Sequence, residues 1–205
     1  PRISNNKGSF RVYLDVMAAP NQIQVKSYAN ELFVIVTPSP EPQLDYIRSA
    51  YLHFVVEPVT LRFLSDILEK KSLADYAQGA PALETHYKED FVLLTTNSLV
   101  KAMEARLAPK DRREAMVDVA LKEGFILTPY FSEALVAYEK QDQSMRLYLQ
   151  EMVQAIDLKK ETARLDGVKF AGAPAVRKAR PSMPRAPQEK SSAEKTMDEA
   201  EVLYN

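Results

Sequence analysis

A chain of 205 residues, 46% hydrophobic and 27% charged, has the make-up of a globular protein with room for one core and a tail. A formal charge of −1 gives no bulk electrostatic case for binding nucleic acid, and the lack of cysteine removes disulfides, thiolate metal sites and a cysteine nucleophile while leaving the redox compartment open. No run reaches the roughly 18 apolar residues that a membrane-spanning helix needs.

Residues 1–9 are polar and are expected to be disordered. Residues 10–17 (Phe-Arg-Val-Tyr-Leu-Asp-Val-Met) alternate apolar and polar side chains, the pattern of a half-buried strand, and Pro20 with Asn21 breaks it. Alternation resumes over 22–27 through Ile23 and Val25, and 31–37 is a β-branched run that ends at Pro38. Three short strands separated by turn residues predict a small, mostly antiparallel sheet.

Pro38, Pro40 and Pro42 end the last strand and introduce a helix over 45–61. Leu44, Ile47, Tyr51, Leu52 and Val55 recur at three- and four-residue steps, so Leu44, Ile47, Tyr51 and Val55 are expected to pack against the sheet, with the rest of the chain organised around this helix. Pro58 kinks or restarts it, because proline removes an amide donor and crowds the preceding turn. Helical spacing continues through Leu61, Leu64, Ile67 and Leu68, and Gly79, Ala80 and Pro81 interrupt it. A short helix follows over 83–90 and a longer one over 91–107, apolar at Leu94, Leu99, Met103 and Leu107. Pro109 opens the next, which stops at Gly124, and Thr128 with Pro129 begins a last long helix or helix pair to about Leu165. The fold class expected is α+β: an N-terminal sheet, a helical body, then a linker and the start of a C-terminal helix.

Composition changes at Gly167. Pro174, Pro181, Pro184 and Pro187 alternate with Arg177, Lys178, Arg180, Arg185 and Lys190, a stretch with too little apolar surface to offset the entropy of ordering it. Residues 166–190 therefore read as a basic, semi-extended linker between a domain over 10–165 and a helical segment over 191–205. In that last segment Ser191 and Glu194 stand in capping-box register, and Ala200 and Tyr204 lie four apart. A small residue and an aromatic at that spacing resemble the first helix of a tetratricopeptide repeat.

Three negatives narrow the chemistry. There is no Gly-x-Gly-x-x-Gly, no phosphate loop ending in Gly-Lys-Ser/Thr and no Gly-x-Ser-x-Gly elbow, and only five glycines in all. Histidine is scarcer still, with His53 and His86 alone. A zinc peptidase helix would carry His-Glu-x-x-His, two imidazoles one turn apart with a general-base Glu between them. Here the five positions read Ser49-Ala50-Tyr51-Leu52-His53.

The middle of the chain, from about Phe10 to Leu165, resembles a family of poorly characterised bacterial gluzincin-like metallopeptidase domains, whose motif is His-Glu-Phe-x-His with a proline five residues on and a later helix of the type Glu-x-x-x-Arg-Ala. The resemblance places the second His on His53, the proline on Pro58, the first His on Ser49, the base on Ala50 and the third ligand on Asn97, at the head of Asn97-Ser-Leu-Val-Lys101-Ala102. It implies a zincin-like helical body and vestigial site positions at Ser49, Ala50, His53 and Asn97, with no catalytic residue, bound metal or other cofactor. Zinc requires three or four N, S or O ligands, and one imidazole does not hold it; an alanine cannot take a proton from a metal-bound water. It also implies an exported or periplasmic bacterial protein, a chain that looks like a piece of something longer.

Two functions remain open. One is a catalytically inactive, metallopeptidase-like domain that serves as a protein-interaction or scaffold module, with an unknown protein partner, no nucleic acid and no membrane span. The other is a metal-dependent peptidase with a rearranged zinc site built from His53, His86 and a carboxylate such as Glu57 or Glu84. A lone histidine on an apolar helix is also ordinarily a packed, hydrogen-bonded residue, and His86, among polar neighbours, reads as a surface side chain.

Overall fold

The computed structural model describes residues 8–28 and 30–172, which belong to one compact unit. Of the stretch expected to be disordered over 1–9, residues 1–7 lie outside the described residues, as do most of the basic linker and the helix expected over 191–205, whereas Ser9 already belongs to a strand. The architecture is α+β: the described residues form a three-stranded sheet followed by nine α-helices.

The strands are β1 (Ser9–Leu14), β2 (Ile23–Tyr28) and β3 (Glu31–Val36), in the order β1-β3-β2. β2 and β3 form the expected antiparallel hairpin, Tyr28 facing Glu31 and Ile23 facing Val36. β1, however, runs parallel to β3, with Phe10 beside Leu32 and Val12 beside Val34, so the sheet is mixed rather than mostly antiparallel. The difference lies in the connection between β1 and β2. Asp15 turns the chain by accepting from the amides of Met17 and Ala18 at 3.0 and 3.2 Å, and Asn21 takes a left-handed φ of 61°. The connection thus carries β2 beyond the place that β3 later fills. Alternation assigns each side chain to a face but says nothing about which strand is the neighbour.

One face of the sheet, holding Leu32 and Val34, meets α1 (Leu44–Arg62); the other carries Phe33 stacked on Tyr13 at 6.1 Å and met edge-on by Tyr28 at 5.8 Å. Pro58 does not break α1, which stays helical on both sides of it. The packing of α1 differs from expectation. Val55 is buried and Ile47 half-buried, but Tyr51 stays 40% exposed while packing edge-on against Phe10, and Leu44 is 60% exposed. The face that α1 does bury is Leu52, Val55, Val56, Val59 and Thr60, and it lies mainly along α5 (Phe91–Leu107). Three short strands cannot cover nineteen helical residues, and another helix takes the larger share.

α5 is the centre of the body, the place expected for α1. Twelve of its residues are buried, and it packs on α1, α2 (Leu64–Leu68), α4 (Thr85–Glu89), α6 (Lys110–Glu123) and α7 (Thr128–Tyr138). Its sequence hides this, since Thr95-Thr-Asn-Ser98 looks like solvent-facing material. The polar side chains are buried because three of them bond back into their own helix, Thr95 to the Phe91 carbonyl and Thr96 to that of Val92 at 2.8 Å, and Asn97 to that of Leu93 at 3.0 Å. Asp90 caps the helix, accepting from the amides of Val92 and Leu93 at 2.9 and 3.0 Å.

Between α2 and α4 the chain makes a 3₁₀ turn (Lys71–Leu73) and α3 (Ala74–Gln78). α6 ends at Gly124, where φ is +114° and an added Cβ would stand 2.7 Å from that of Ala80, so both conformation and space require glycine. The last helical stretch is neither one helix nor a pair but three: α7, α8 (Met145–Gln154) and α9 (Leu158–Leu165). Gln141 spans the first break, donating to the carbonyls of Tyr138 and Gln143, and Asp157 caps α9 through the amides of Lys159 and Lys160. The body also continues past Leu165: Val168 and Phe170 pack on the core, Tyr76 donates to Asp166 at 2.5 Å, and the Ala171 amide donates to the Lys122 carbonyl at 2.7 Å. The linker therefore does not begin at 166.

Candidate functional site

α1 passes beneath the sheet with two flanks. One carries Tyr51 and Phe54 against Phe10 of β1. The other carries Tyr46, Ser49, Ala50, His53 and Glu57 and faces β2, leaving a groove of about 580 Å³ between helix and strand. Ile23, Val25 and Ser27 form the strand wall, and Leu32 and Phe54 lie deeper. Three of the four sequence-predicted positions, Ser49, Ala50 and His53, thus share one wall. The spacing of 49 and 53 is one helical turn, which explains their common face.

The strand wall is also a sheet edge, since β2 is outermost. The Thr37 amide donates to the Gln22 carbonyl, and from that pair the antiparallel alternation runs along the hairpin. Gln24, Lys26 and Tyr28 turn their amides and carbonyls to β3, whereas those of Ile23, Val25 and Ser27 point outward. No strand among the described residues pairs with that edge. The groove therefore combines an apolar floor with a row of backbone donors and acceptors.

His53 is half-buried, and burial pushes its imidazole below the usual histidine range. The carboxylates of Glu104 and Glu57 pull the other way, and Lys101 acts with burial. The ring is therefore neutral at pH 7. Glu57 sits one turn after His53, on the groove wall, and its spacing was readable in the sequence. Glu104 was not readable. It acts on His53 from α5, where it lines a separate depression with Lys101 and Arg112: the Thr96 hydroxyl donates to that of Thr60 at 2.9 Å, and stepping back along α1 to His53 and forward along α5 to Glu104 brings residues far apart in sequence level.

Asn97 is not part of this arrangement. It is buried two turns before Glu104, its amide nitrogen donating to Leu93 and its oxygen accepting from the Tyr87 hydroxyl at 3.3 Å. His86 lies on α4, exposed, 3.4 Å from Glu84 and with its ring centroid 4.0 Å from that of Tyr87. Among the described residues no three His, Asp or Glu side chains come together in a way that could hold a metal ion, so the fold does not assemble His53, His86, Glu57 and Glu84 into the rearranged ligand set. No described helix is long and apolar enough to cross a membrane. No family model matches this chain, and neither does any curated protein or solved structure.

Proposed function

We propose that this chain is a protein-interaction module built on a degenerate metallopeptidase-like domain, and that its groove receives an extended segment of a protein partner by strand addition. The observation that carries the reading is the position of β2, a sheet edge with no partner strand among the described residues, which forms one wall of the groove whose other wall holds Ser49, Ala50 and His53. A partner strand laid against β2 would satisfy the outward amides and carbonyls of Ile23, Val25 and Ser27 while its alternate side chains enter the groove. The wall opposite supplies recognition and no hydrolysis. Ser49 and Ala50 provide neither the second imidazole nor the general base that a zinc peptidase requires.

The resemblance extends the proposal in two directions: helical repeats following residue 191 would add a second binding surface, and the protein would be exported by a bacterium. Recovery of the native protein solely from the cytoplasmic fraction would remove the second point.

Capped eight-residue peptides of alternating β-branched and serine residues, incubated with the purified chain with and without zinc, test the central claim. Fluorescence anisotropy reads binding and mass spectrometry reads cleavage. Binding without cleavage is expected. Val25→Pro removes an outward amide and no ladder bond, so it should abolish binding while the circular dichroism spectrum holds. Zinc-dependent cleavage lost in His53→Ala, or binding untouched by Val25→Pro, would overturn the proposal.

A further inference from the structure

Charge decides which strand fits this groove. Among the described residues that line it there is no lysine or arginine. The basic residue of β2, Lys26, lies on the other face of the strand from Val25, and Arg48 of α1 is held by Asp45 at 3.1 Å. The cation that acts on His53 is Lys101, which is engaged elsewhere: it stands 3.5 Å from Glu123 and 4.6 Å from the ring centroid of Phe125. The negative groups are free by comparison. Glu31 is taken by Ser9 and Arg11, but neither Glu57 nor Glu104 forms an ion pair among the described residues.

We propose that the segment accepted by this groove is an apolar extended strand bearing one lysine or arginine, whose charged end sits beside His53 and is held by Glu57 on the groove wall. The inference rests on the strand-addition reading above and specifies its partner. The apolar part of such a side chain lies along Val25 and Tyr46, while its head reaches Glu57. Attraction to that carboxylate, with the field of Glu104 on α5 acting in the same sense at His53, also rejects an acidic segment, which would leave like charges facing one another.

The test uses the full chain and five capped eight-residue peptides of alternating valine and serine, identical except for a central position that is lysine, arginine, norleucine, glutamine or glutamate. The lysine and arginine peptides should bind at least about fivefold more tightly than the norleucine peptide. Glu57→Gln should remove most of that advantage and Glu104→Gln, acting through space from α5, a smaller part, both leaving the norleucine peptide unchanged. Glu57→Lys should reverse the preference toward the glutamate peptide. Equal affinity for the lysine and norleucine peptides, with binding still lost in Val25→Pro, would overturn the charge inference and leave strand addition standing. If none of the five binds to a chain that circular dichroism shows to be folded, strand addition fails and this inference fails with it.

Discussion

Glu161 sits on α9 with no solvent exposure, neither carboxylate oxygen hydrogen-bonded and the nearer one 3.2 Å from a guanidinium nitrogen of Arg164. Burial raises its pKa; the guanidinium opposes this and does not cancel it. The folded chain thus holds a proton on Glu161 at pH values where the unfolded chain has released it. The associated stability is complete below the unfolded value of about 4.3 and is lost as pH rises through the higher folded value. Glu161→Gln keeps the shape without the titration, and Arg164 keeps Glu133 at 2.6 Å. Denaturant unfolding between pH 4 and pH 8 should show the native chain losing about 1 kcal/mol or more relative to the variant. Parallel curves would show that Glu161 is equally ionised in both states. Legibility at this scale was uneven. His53, Ser49 and Ala50 announced themselves by spacing and scarcity, while Glu104 and Glu161 look like any surface glutamate until the fold places them.

At the scale of elements, the distinction between α1 and α5 has a measurable consequence. α1 carries apolar residues on more sides than it buries: Leu52 is 2% exposed and Leu44 60%. Leu52→Ala should cost about 2–5 kcal/mol, because the cavity opens inside the core, and Leu44→Ala less than about 0.5 kcal/mol, read from urea midpoints at constant slope. Equal costs would place the first turns of α1 in the core. Hydrophobic spacing identified α1 correctly as a helix and misjudged its partner. It also undervalued α5, since hydrophobicity counts threonine and asparagine as exposed. Thr95, Thr96 and Asn97 are buried at little cost because carbonyls of their own helix satisfy them.

The whole molecule divides into a densely packed helical body and a sheet joined to it by a narrower seam. Phe10, Leu32 and Val34 meet α1, whereas Val12, Leu14 and Val25 remain 46%, 65% and 49% exposed. Local opening should follow that gradient. Native-state hydrogen exchange should find the amides of α5 exchanging only through global unfolding, and those of Ile23, Val25 and Ser27, turned away from β3, exchanging faster than those of Gln24, Lys26 and Tyr28. Protection of β2 equal to that of α5 would contradict this order. A bound partner strand should slow β2 selectively, which links the stability gradient to the proposed function.

Local sequence was enough for the elements: three strands with assigned faces, a helix launched after Pro42, a stop at Gly124, and Ser49 and His53 on one flank of one helix. Each rests on relations within about four residues, where backbone geometry leaves few alternatives. Packing between distant segments settles that β3 lies between β1 and β2, that α5 rather than α1 is the centre, and that Glu104 rather than Asn97 acts on His53. Those outcomes depend on contacts between residues far apart in sequence, such as Thr60 with Thr96. Periodicity gives the direction in which a side chain points, and the packing of the whole chain determines what it meets there.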